Sequence, residues 1–212
     1  MEKKTKGEEE MKINPIDLDG QDANRLLLSI IIPRPIALVS TIGENGVFNI
    51  APYSGLSPMC PKPALIKFNV GTPRDGRKKD TLVNIEYSKD FVINIVNEDM
   101  TDAMNQSSAE YPSDVDEFKE VGLTPIQAEV VKSPLVGESP ISMECQLVDI
   151  LEYGNLPRIT SVVIGEVVRV HIKENVCENG QIQISAIKAI GRLGGNNYCR
   201  TTDIFETERL FG

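Results

Sequence analysis

Tryptophan is absent from the 212 residues, and histidine occurs once, at position 171. A Ser-His-Asp or Cys-His arrangement would have to be built on that residue. His171 falls beside Arg169 on the less apolar face of a strand-like run, near its end, where a surface position is expected. Imidazole-based metal ligation ranks low for the same reason, since transition-metal sites draw on several imidazoles or a cysteine cluster. The four cysteines (Cys60, Cys145, Cys177 and Cys199) are scattered without CxxC spacing, which speaks against disulfides and zinc and for a reduced, cytoplasmic protein. Cys60, alone in a proline-rich stretch, reads as an inert thiol. No apolar run approaches the roughly 20 residues of a membrane helix. A net charge of -9 offers no basic face for nucleic acid or for an anionic membrane surface. Neither a P-loop nor a G-x-G-x-x-G in a βαβ setting is present.

What remains is a soluble acidic chain of about one domain. Residues 1–20 read as a charged, solvated tail and lead-in without the apolar core of a signal peptide, and 21–212 as the domain. Asp22 to Ile32 has helical character up to the Pro33-Arg34-Pro35 break. Strands are expected over 36–42 and 47–50, joined by a turn whose Asn45-Gly46 is a hairpin signal. Further strands follow at 64–70, 91–96, 142–152 and 160–173. Helices are expected near 80–85 and over 98–109, while the acidic stretch 111–122 reads as a surface excursion. On the last long strand, Val162, Ile164, Val168, Val170 and Ile172 share one face, and Val163, Gly165, Val167, Arg169 and His171 the other. Strands dominate and helices serve as connections, the pattern of a mainly β antiparallel barrel with helical decoration.

Against the acidic background, one segment reverses sign. Gly71 to Thr81 holds four cations and two glycines in eleven residues, then enters a helix for which Asp80 or Thr81 would serve as N-cap. Concentrated positive charge at a helix start suits a bound phosphate; the competing reading is a charged turn left to solvent. Asn49 to Ser57 is small, polar and interrupted by proline and glycine, so that a flat ligand can approach its backbone. Its alternative is an irregular barrel corner. A third segment, Gly191-Arg192-Leu193-Gly194-Gly195-Asn196-Asn197-Tyr198, either closes a pocket or makes a turn before the C-terminal tail.

In order and spacing, these segments resemble the flavin reductase-like family of FMN-binding split barrels, which includes flavoredoxins and the reductase components of two-component monooxygenases. The resemblance runs through Pro33–Thr41, Gly46, Asn49–Ser54, Arg77–Thr81, Asn84-Ile85, Phe91–Asn94, Asn105–Ala109, Glu138–Pro140, Ile164–Val167 and Gly191–Tyr198, and covers about 22–205. It implies a six-stranded split barrel that forms a homodimer, with FMN near the subunit interface. It further implies that Asn49, Ala51, Pro52, Tyr53 and Ser54 line the ring and ribityl chain. Thr41, Arg77, Lys79 and Thr81 would hold the phosphate, with Arg192 and Tyr198 closing the site. No catalytic side chain is implied, because the flavin carries the chemistry. Expected partners are NADH or NADPH as donor and a monooxygenase or electron-transfer protein as acceptor. Where relatives often carry a Gly-Asp-His element linked to nicotinamide use, this chain has Gly154-Asn155-Leu156. That departure favours a flavoredoxin-like electron carrier as the rival reading. A non-catalytic flavin-binding or sensing protein is the third.

Overall fold

The computed structural model describes residues 10–73 and 75–208, so most of the charged tail and Arg74 of the cationic segment lie outside the described residues. The first helix, α1 (Gly20–Ile30), starts two residues before the expected Asp22. The Asp19 carboxylate caps it, accepting from the amides of Gln21 and Asp22 at 2.7 and 2.8 Å.

Seven strands form one antiparallel sheet: β1 (Ala37–Ile42), β2 (Phe48–Tyr53), β3 (Ser57–Pro61), β4 (Ala64–Gly71), β5 (Asp90–Ile95), β6 (Ile141–Asn155) and β7 (Arg158–Ile172). Their order is β2-β1-β5-β6-β7-β4-β3, so the main sheet has one strand more than the six expected. The architecture is otherwise the mainly β one anticipated. A smaller three-stranded sheet joins Arg34–Pro35, Ile190–Arg192 and Tyr198–Arg200, which brings the two ends of the resembling segment together.

The continuous apolar run of β1 is explained by burial on both faces. Leu38 enters one core cluster with Ile50, Met100, Met104 and Phe118, while its neighbour Val39 enters a second with Phe68, Leu82, Ile85, Phe91 and Val163. β2 runs three residues past the expected Ile50, so much of what reads as a loop is strand. Pro52 is tolerated because β2 is the end strand of the sheet and pairs only with β1.

The simple two-face reading of β7 is corrected by register shifts at Ile164/Gly165 and Val167/Arg169. The first shift leaves Val148 of β6 without a partner and the second leaves Val168 of β7, and Val163, Ile164 and Gly165 are all buried. Gly165 is required there, since a Cβ would overlap the Phe91 ring. Two further corrections concern the helical decoration. Over 98–109 the chain makes a 3-10 turn (Glu98–Met100) and a short α3 (Thr101–Gln106). The Ser107 and Ser108 hydroxyls then bond back to the carbonyls of Met104 and Asn105 and end it. The stretch 111–122 is no mere surface excursion: it contains α4 (Glu117–Val121), whose Phe118 is fully buried. Among the described residues no helix is long and apolar enough to cross a membrane.

Candidate functional site

The cationic segment leads into α2 (Asp80–Ser88), which packs Leu82 and Ile85 against the sheet. Neither Asp80 nor Thr81 is its cap. The helix begins at Asp80, Lys79 occupies the cap position, and no side chain closes the N-terminus. The Leu82 and Val83 amides bond to the Lys79 carbonyl at 2.9 and 3.1 Å, which leaves those of Asp80 and Thr81 for another acceptor.

The charges of the segment are not equivalent. Arg77 is exposed and paired with Asp75 (3.1 Å) and Glu110 (3.4 Å), and Lys78 is drawn to Glu86 at 2.6 Å. Lys79 makes no ion pair among the described residues, and its Nζ lies 5.9 Å from the centre of the Tyr53 ring. Of the three described cations of the segment, Lys79 is thus the one with the least internal compensation.

Opposite this helix start runs β2. Asn49, Ala51, Pro52 and Tyr53 line one hollow together with Arg77, Lys79 and Thr81, and its far wall is Ser107–Tyr111. The structure so gathers seven of the ten residues expected at the site. Of the other three, Ser54 and Arg192 line a second hollow beyond the Pro52–Tyr53 ridge. Thr41 lines neither. It is fully buried, and its hydroxyl accepts from Asn84 Nδ2 at 3.1 Å, so its contact is with α2 rather than with the hollow. Tyr198 stands with Arg192, whose guanidinium lies over its ring at 4.6 Å.

A residue not foreseen from the sequence completes the first hollow. Glu117, from α4, accepts from the Ile50 amide at 3.0 Å. The Asn49 amide, oriented by this network, donates to the second Glu117 oxygen at 3.2 Å and accepts from Thr81 Oγ1 at 2.9 Å. Burial pushes the Glu117 carboxyl up to about 7; Asp80 adds to the rise, while the Ile50 amide and Lys79 oppose it. The Tyr53 hydroxyl is buried without a hydrogen-bond partner, and burial holds it far above its ordinary range. An orphan donor, an uncapped helix start and an uncompensated lysine therefore meet at one strand edge.

Comparison with known proteins decides the family. A family model described as "Flavin reductase like domain" matches residues 29–185. The chain belongs to this family. Among solved structures, nitrilotriacetate monooxygenase component B from Bacillus cereus is similar, with a TM-score of 0.89 at 36% identity over 94% of this chain and 100% of that one. The 2-nitrobenzoate 2-nitroreductase NbaA of Pseudomonas fluorescens gives 0.85 at 30% identity over 95% and 98%. An uncharacterised protein of Halalkalibacterium halodurans is 34% identical over 201 residues, covering 94% of this chain and 96% of the relative. Among the described residues no group of three or more His, Cys, Asp or Glu side chains is placed to hold a metal ion.

Proposed function

We propose that the protein is an FMN-binding oxidoreductase that uses NADH or NADPH to reduce flavin for a partner oxygenase or another acceptor. The observation that carries this reading is the placement of Lys79, at the uncapped start of α2, across from the open edge of β2. The residues fit the cofactor. Lys79, Thr81 and the first-turn amides suit its phosphate, Arg77 adds a partly compensated charge, and the backbone of Asn49 to Ser54 suits the ribityl chain and ring edge. The Tyr53 hydroxyl has a free hydrogen bond to offer. FMN supplies the hydride and electron chemistry when bound; the chain's part is to hold it and exclude water. Thr41 acts from behind, fixing Asn84 and with it the helix that presents Lys79.

A partner oxygenase is suggested by the similarity to a monooxygenase component. A homodimer is supported by exposed apolar side chains on α1 (Leu27, Ile30), at its C-cap Ile31 and on the β6–β7 hairpin (Leu151, Tyr153, Leu156). These two regions adjoin through the Arg158–Gln21 hydrogen bond. The flavoredoxin-like alternative rests on Gly154-Asn155-Leu156, an exposed hairpin turn with neither acid nor histidine.

The test is the visible spectrum of the purified protein and a titration with FMN, followed by mixing with NADH or NADPH under anaerobic conditions. Bleaching of the flavin band by either nucleotide is the expected result. Flavin uptake without bleaching selects the electron carrier, and no uptake overturns both readings. Replacing Arg77 and Lys79 together by Ala weakens FMN binding, as each charge-assisted phosphate contact is worth about 1.5–3 kcal/mol. An unchanged affinity would place the phosphate elsewhere.

A further inference from the structure

Glu117 stands on the wall between two hollows. The first is the one that gathers Lys79, Thr81 and the edge of β2. The second, of about 450 Å³, is bounded by the turn at 43–47 and the stretch 112–115, and it shares Asn49, Asp80 and Glu117 with the first. The Glu117 carboxyl is 7% exposed, and its donors, the Ile50 amide and the Asn49 side chain, are both uncharged. No ion pair engages it among the described residues. Asn49 ties it to the start of α2, since the same amide group accepts from the Thr81 hydroxyl.

The charges around this wall do not balance. Burial is the main force driving the carboxyl towards its neutral form; Asp80 adds to it, and Lys79 opposes it. The other titratable groups along the hollows are Tyr53 from β2, Glu110 and Tyr111 from the far wall, and Glu44 from the turn. Arg77 is engaged by Asp75 and Glu110, and on α4 itself Asp116 pairs with Lys119 at 2.9 Å. One lysine therefore faces two carboxylates, Asp80 and Glu117, before any ligand enters. A phosphomonoester at the Asp80 and Thr81 amides would add about 1.5 to 2 negative charges at neutral pH. Charges shielded from water are poorly screened, so this repulsion is felt at Glu117. Its carboxyl already lies close to the balance between its two forms, and it takes a proton at little cost. The second hollow reaches it from the side away from the phosphate position.

We propose that flavin binding and protonation of Glu117 are one linked event: the carboxyl takes a proton from water as the phosphate seats and returns it when the flavin leaves. The inference rests on the flavin reading of the first hollow. Linkage is reciprocal, so whatever the phosphate does to the proton, the proton does to flavin affinity. Below about pH 7 the free carboxyl is already neutral, and binding needs no proton. Above it, each flavin bound must bring a proton with it, and affinity falls as pH rises. Glu117 thereby sets how firmly the flavin is held.

The experiment is titration of FMN into the flavin-free protein between about pH 6.5 and 8.5, where the free phosphate is already mostly a dianion, its second pKa being about 6. FMN affinity is expected to fall about tenfold across that range. Riboflavin, which lacks the phosphate, shows no such slope. Glu117→Gln, whose side chain is neutral at every pH, still binds FMN, loses the slope and exceeds the natural chain in affinity at the alkaline end. Calorimetry at about pH 8 in two buffers of different ionisation enthalpy shows net proton uptake by the natural chain and none by the variant. If the variant fails to fold, the FMN–riboflavin comparison and the proton count on the natural chain decide. A level FMN affinity, an equal slope for riboflavin or a slope retained by Glu117→Gln overturns the linkage and leaves the flavin reading standing. No FMN uptake at any of these pH values overturns the flavin reading itself, and the linkage with it.

Discussion

Glu144 and Glu117 are both buried carboxylates, and they have opposite fates. Glu144, on the central strand β6, is wholly shielded from solvent. It accepts from the amides of Glu129, Val130 and Val131 at 2.7–2.9 Å and from His171 Nε2 at 2.6 Å. Burial alone would raise its pKa, but the bonds from His171 and the three amides overcome that and hold it below the usual carboxylate range. Glu117 is 7% exposed, has one backbone amide and the Asn49 side chain as donors, and faces Asp80; its carboxyl rises to about 7. Donor number separates the two. A carboxylate saturated with donors pins a loop to the sheet, whereas one left short of them sits at a hollow and exchanges protons near neutrality.

The sharpest way to break this contrast is Glu144→Ala. Removing a buried charge while leaving its donors unpaired costs about 3–5 kcal/mol, read as a large fall in thermal midpoint. A midpoint within a degree or two of the natural protein's would show that the loop is held some other way.

Next in size is the Glu117 side. Lys79→Ala weakens FMN binding by about ten- to a hundredfold, whereas Arg77→Ala has a smaller effect because Asp75 and Glu110 already engage its charge. Flavin-fluorescence titration of both single variants checks the order. A reversed order would mean that Arg77 leaves its carboxylates for the ligand.

The smallest expected effect concerns pH. A carboxyl whose folded value is raised contributes stability fully present below its ordinary range and lost as pH rises through about 7. Glu144, with a lowered value, contributes stability above the ordinary range that is lost as pH falls through its depressed pKa. Glu117→Gln therefore flattens the stability profile between about pH 5 and 8 and raises the midpoint modestly at the alkaline end. It leaves the acid limb, governed by groups such as Glu144, in place. Denaturation at several pH values measures this, and an unchanged alkaline slope would sink the assignment.

The sequence made the element order, the Asn45-Gly46 hairpin and the sign reversal at Gly71–Thr81 legible, because each depends on neighbours along the chain. Glu117 was not legible. Its segment is acidic and turn-rich, and Phe118 and Val121, the two apolar residues buried by a five-residue helix, are too few to mark a period. The second partner of Arg77 was hidden likewise, since Glu110 lies 33 residues away. His171 was expected near the surface and is half-buried; its bond to Glu144 exists only because β6 and β7 pair. The two register shifts between β6 and β7, one from an extra residue in each strand, left no mark in the alternation of β7.

Pro52 has one more consequence. The outer edge of an end strand is a template on which a foreign strand can grow, and the amides along it recur every second residue. On β2 the Ile50 amide is taken by Glu117, and two residues on, Pro52 has no amide to offer. The edge therefore lacks consecutive donors for a self-propagating ladder. The proline that interrupts β2 thus denies a foreign strand its template.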